Sequence, residues 1–140
     1  MGNINMGRVV IGGLVAGLLI NVSEFLLNGV VLAQDLNDAL KALNRPPVDS
    51  GMIAWFVLLG FGIGFMAVWV YAAVRPRLGP GVRTAICAAL VVWGLAYLYP
   101  NIGTGILGLF PARIVVMTSV WGLAEVLIAG VAGAWIYTEA

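Results

Sequence analysis

The sequence predicts an all-α integral membrane protein built from four transmembrane helices. Three observations carry that prediction. Hydrophobic residues make up 62% of the 140-residue chain and charged residues only 9%, where soluble domains carry roughly 25% charged residues. Mean hydropathy is +1.06. The apolar residues gather into four long segments, at about 9–32, 52–74, 84–109 and 114–137, and a helix needs about 20 residues to cross the hydrocarbon core. A chain this short cannot hide so much apolar surface in a core of its own in water. The whole chain, 1–140, reads as one four-helix transmembrane domain.

The first segment ends in Val31-Leu32-Ala33 before Gln34, which has the small-residue look of a signal-peptide cleavage site. The stretch is too long for a signal peptide, and Asn21, Glu24 and Asn28 interrupt it, so a retained span is expected. Around 33–44 the pattern changes. Leu32, Leu36, Leu40 and Leu43 recur every three or four residues, opposite Asp35, Asp38 and Lys41. That is an amphipathic helix, continuing the first span or lying along the interface, and Pro46-Pro47 stops it.

The second segment carries Gly60, Gly62 and Gly64. Their spacing resembles part of a dinucleotide-binding loop. No strand precedes them, so they read as a surface for close helix packing. A basic turn with Arg75, Arg77 and Arg83 follows. Its arginines set topology, and they also suit anionic lipid headgroups. The third segment is interrupted by Pro100 and the glycines after it. Proline lacks the backbone donor and pushes its predecessor out of the helix, so a kink or break is predicted at Pro100. Such backbone survives at membrane depth only inside protein or against water.

An even number of crossings places both termini on one side, together with Arg8, Arg75, Arg77 and Arg83. The other side has Lys41, Arg45 and Arg113. The arginine cluster makes the first side cytoplasmic, in a cell membrane read as a bacterial inner membrane. Trp69, Tyr71, Trp135 and Tyr137 are expected at one interface. Trp55, Phe56, Tyr97, Tyr99 and Phe110 are expected at the other.

Composition also excludes function classes. A net charge of +1 does not suit a nucleic-acid binder. There is no histidine and a single cysteine, Cys87. This removes any intrachain disulfide, the commonest haem and transition-metal ligand, and the commonest general base. No nucleophile and base pair, zinc spacing or phosphate loop is present, so neither an enzyme nor a cofactor is expected.

What remains is a pair of acids, Glu24 and Glu125, inside two different spans. An ionised carboxylate at a helix centre costs about 2.5–3.5 kcal/mol on insertion scales. On the first span Gly13, Gly17, Asn21, Glu24 and Asn28 form one helical stripe. On the fourth, Thr118, Gly122, Glu125, Ala129 and Gly133 do the same. These antiparallel stripes would pack on each other directly or meet in a neighbouring subunit.

Two readings follow. In one, the glutamates are hydrogen-bonded glue, and the chain is a homo-oligomer or an accessory subunit of a larger membrane complex, with lipids and other membrane subunits as partners. In the other, they are midplane proton carriers of a proton-linked transporter or channel for a small solute. Trp121-Gly122-Leu123-Ala124-Glu125-Val126-Leu127 resembles the glutamate-bearing helix of the small multidrug exporters, which also have four spans. That helix is their first span and here it is the fourth, and this chain is longer and carries a second glutamate. The resemblance, confined to those residues, implies only that a four-span architecture can carry proton-coupled export.

Overall fold

Helix formation along this chain follows its apolar runs and stops at caps and glycines. The computed structural model describes residues 3–139, so residues 1, 2 and 140 of the single domain lie outside the described residues. Every regular element among the described residues is helical. The first span is α1 (Met6–Leu26), which widens into a π-type turn at Leu27–Val31. Then come α2 (Ala33–Ala42) and α3 (Ser50–Leu78). The third span is α4 (Val82–Trp93), a π-type turn at Gly94–Leu98, and α5 (Tyr99–Ile106). The fourth is α6 (Ala112–Ile136). Four helical stretches are long and apolar enough to cross a membrane: Met6–Val31, Ser50–Leu78, Val82–Ile106 and Ala112–Ile136.

Local chemistry explains the boundaries. Asn5 caps α1 by accepting from the Arg8 amide at 3.1 Å, and Asp49 caps α3 by accepting from the Met52 amide at 2.8 Å. The second span runs past its apolar stretch, through Arg75 and Pro76 to Leu78. The turn after it is therefore short. It is made by Gly79 and Gly81, whose φ of 83° and 125° no β-carbon tolerates well. The interruption at Pro100 takes the form of the wide turn just before it. A helical proline cannot donate and its ring crowds the carbonyl four residues back, here Ala96. Winding Gly94–Leu98 with a wider turn accommodates both effects, and the helix continues through Pro100 to Ile106. The segment around 33–44 is the separate helix α2. Its Ala39 is buried, as is Leu32 just before it, and its Asp35 lies 3.5 Å from Arg113 at the start of α6.

The four spans run up and down, with α1 packed most broadly on α3 and next on α6, and α4 on α6 and α3. Both termini meet at the arginine turn. The Asn5 amide donates to the Tyr137 hydroxyl at 3.2 Å, and the Gly81 amide donates to the Tyr71 hydroxyl at 3.2 Å. These two tyrosines stack edge to face with ring centres 6.0 Å apart. Each is only 4% exposed, so they are core residues and not the interfacial belt expected from sequence. Their hydroxyls have backbone partners inside the protein, which makes burial affordable there.

Apart from the two tyrosines and Ile20, the core at this end consists of small side chains. Val9, Ala16, Val68, Ala72, Ala85, Ala88 and Ala129 are all buried in one cluster. Glycine sets the spacing of the helices. A β-carbon on Gly12 would sit 2.6 Å from the Gly133 carbonyl oxygen, and one on Gly13 would sit 2.8 Å from Phe65 Cα. Gly64 abuts the Gly17 backbone just as closely. The other end is looser. Residues 50–59 of α3 are all exposed, and no residue of α5 is buried. Most of the outer surface is apolar, as at Leu14, Leu58, Ile128 and Trp135.

Candidate functional site

Burial singles out one acid first. Glu125 lies midway along α6 and is 5% exposed. Its Oε1 accepts from the Tyr97 hydroxyl at 2.6 Å, while its Oε2 is buried with no hydrogen-bond partner. Tyr97 comes from the π-type turn of the third span. Its ring lies flat on Gly122, where a β-carbon would be 2.5 Å from Tyr97 Cδ1. Gly122 is thus the seat for the tyrosine ring, one turn before the acid that the ring serves.

Glu24 arrives from α1. The half-buried carboxyl group accepts from Asn28 Nδ2 at 2.6 Å, and the same nitrogen reaches the Glu24 carbonyl oxygen at 3.2 Å. Next to it, Ser23 Oγ accepts from Trp121 Nε1 at 2.8 Å, which ties α1 to α6 at this level. Glu24 lies close enough to act electrostatically on both Glu125 and Tyr97, and Ser23 lies beside Glu125. The two acids therefore meet inside one chain, with a tyrosine, a serine and an asparagine around them.

No basic side chain balances them. The ion pairs among the described residues are Arg75 with Glu139 and Arg113 with Asp35, both at the ends of the bundle. A buried carboxylate without a counter-charge is among the most costly groups a protein can hold.

The remaining sequence-selected residues fall elsewhere. Asn21 does not join the acids. Its Nδ2 donates to the Gly17 and Val57 carbonyls at 2.9 and 3.2 Å, and its amide fills the space above Gly60 on the α1–α3 contact. Gly13, Gly17 and Gly64 lie on that same contact, and Gly133 lies against Val68 and Gly12. Among the arginines, Arg77 and Arg83 are exposed. Arg75 folds back over the Tyr137 ring, 5.7 Å from its centre. Its Nη1 is 2.9 Å from Glu139 Oε1, an ion pair by distance whose alignment misses hydrogen-bond geometry, and its Nε finds no partner.

Sequence reasoning missed Tyr97, Ser23, Trp121 and a second polar group. Asn101 Nδ2 donates to Thr118 Oγ1 and to Ser119 Oγ, both at 3.0 Å. Trp93 Nε1 donates to the Ser119 carbonyl at 2.9 Å, and Thr104 Oγ1 to the Asn101 carbonyl at 3.0 Å. Tyr97, Asn101 and Thr104 are spaced by four and three residues, the helical repeat. That signal was present in the chain, hidden by the kink or break expected at Pro100, which falls between Tyr97 and Asn101.

Comparison with known proteins gives no matching family model, no matching curated protein and no matching solved structure.

Proposed function

We propose that the chain is a proton-linked membrane carrier or channel for a small solute, with Glu24 and Glu125 binding the proton. The observation that carries this reading is the buried Glu125 with the half-buried Glu24 beside it, no counter-cation among the described residues, and one Glu125 oxygen without a hydrogen-bond partner. Glue alone does not call for acids. Asparagine or glutamine would make the same interhelical hydrogen bonds without the cost of burying a charge beside its like. A proton resolves the imbalance, and the tyrosine hydroxyl and the serine give it hydrogen-bonded neighbours to move between. In this reading the arginine turn and both termini face the cytoplasm of a cell, across its inner membrane.

The test is proton uptake into liposomes reconstituted with the protein, read by a trapped pH-sensitive dye under an imposed gradient. Wild type should move protons faster than empty liposomes. Glu125→Gln should fall to that background while still eluting as a folded protein in detergent. Equal flux in wild type and Glu125→Gln would end the proposal.

A second reading, an accessory or oligomeric subunit, is favoured by a different observation. Residues 50–59 of α3 are exposed on every face, including Trp55 at 70% and Phe56 at 61%. A helix so exposed over three turns, held there by Asn21 at the Val57 carbonyl, is suited to a neighbouring subunit. Purification from the native membrane in mild detergent separates the two. Stoichiometric foreign subunits favour this second role.

A further inference from the structure

We infer that the structure shows one access state of the carrier, in which the acid pair exchanges its proton with the face of the membrane carrying α2 and α5, along a polar route formed by Thr104, Asn101, Thr118 and Ser119. The inference rests on the proton reading above and adds its direction. From Glu125 toward that face, α6 presents Gly122 and then Thr118 and Ser119, while the third span presents Tyr97, Asn101 and Thr104 opposite. Asn101 bridges the two rows at 3.0 Å to each hydroxyl. Burial relaxes along the way. Glu125 is buried, the four route residues are half-buried, and Thr104 lies two residues from the end of its span. Thr118 and Ser119 donate to the Ile114 and Val115 carbonyls, both at 2.7 Å, and Thr104 donates to that of Asn101, so each hydroxyl oxygen keeps acceptor capacity toward a water that enters the row.

The opposite direction is closed. Past Glu125 toward the arginine turn, α6 presents Ala129, Gly130 and Gly133. Against them lie Ala89, Val68 and Gly12, so close that a β-carbon on Gly133 would meet Val68 Cγ2 at 2.5 Å. Among the described residues no polar side chain lines that contact, and at Gly133 it has no space even for a β-carbon. The next polar group, Thr84, is spent on the Gly79 carbonyl at 2.7 Å, and the Tyr71 and Tyr137 hydroxyls are spent on backbone amides.

The experiment uses full-length protein carrying Cys87→Ala and one new cysteine, in sealed vesicles of known orientation. A charged, membrane-impermeant methanethiosulfonate is added to one side at a time. Thr104→Cys and Ser119→Cys replace a hydroxyl by a thiol of similar size, so both should fold. Each should be modified from the α2 and α5 face at least about tenfold faster than from the arginine face, since thiol reactivity follows access to water. Ala129→Cys should resist modification from both sides until the protein is denatured. Faster modification of Ser119→Cys from the arginine face overturns the route. So does a folded Ser119→Cys and Thr104→Cys pair that resists reagent from both sides. Proton flux that persists in that case leaves the acid pair standing and removes only the route. One-sided modification without flux upholds the route and removes the proton reading.

Discussion

Toward the arginine turn the four spans meet through glycine and alanine, and toward α5 they meet through tryptophan, tyrosine, asparagine and hydroxyl groups. In the first half, backbones touch: Gly12 against Gly133, Gly17 against Gly64. In the second half, side chains hold the helices apart and bond across the gap, as Trp121 does to Ser23 and Asn101 to Thr118 and Ser119. Without a hydrophobic drive between helices in lipid, both are workable ways to associate. They differ in what they leave room for. Close packing excludes water and leaves no place for charge, and polar spacing permits both. The acids sit where one regime gives way to the other, with Ala129 and Gly130 on one side of Glu125 and Tyr97 and Gly122 on the other.

The largest effect that would break this contrast is a side chain added to the packed half. Gly64→Val forces α1 and α3 apart where backbone faces backbone, and should cost about 3 kcal/mol, read as the folded fraction during detergent unfolding. The matching change in the open half is Gly103→Ala, where nothing lies within 4 Å of the added carbon. It should be neutral or stabilise by up to about 1 kcal/mol through helix propensity. Equal losses at the two sites would erase the distinction between the halves.

A smaller effect sharpens the boundary itself. Gly122→Ala displaces the Tyr97 ring and should cost about 1–2 kcal/mol as local overpacking. Its effect on proton flux should exceed its effect on stability, because the Tyr97 hydroxyl is drawn off Glu125. Smaller still, Trp121→Phe removes one interhelical hydrogen bond of the open half. Such bonds average about 0.6 kcal/mol in membrane proteins, and the same unfolding measurement should register a loss of that order.

Much of this plan is visible in the chain, and the reasons it is incomplete are physical. Long apolar runs leave little choice but helices, so the four spans are legible, although α3 outlasts its apolar run by carrying Arg75 and Pro76 within its last turn. The stripes around Glu24 and Glu125 are likewise a matter of counting by three and four. Counting cannot tell which neighbour each position on a stripe faces. Asn21 and Glu24 are three residues apart, yet one turns to α3 and the other to α6 and the third span. Tyr97 was hidden by composition, because an aromatic near the end of a span looks like an interfacial anchor. Its inward position depends on the wide turn at Gly94–Leu98 and on Gly122 from another helix. Trp93 and Trp121 are half-buried, and only their partners, the Ser119 carbonyl and the Ser23 hydroxyl, show which helices they join.

The most direct test asks whether Glu24 and Glu125 form one site. Detergent unfolding of the purified protein compares wild type, Glu24→Gln, Glu125→Gln and the double variant. Residues in contact couple by about 0.5–3 kcal/mol in such a cycle, so the double variant should depart from the sum of the two single changes by at least about 0.5 kcal/mol. Strict additivity would contradict the account at its root.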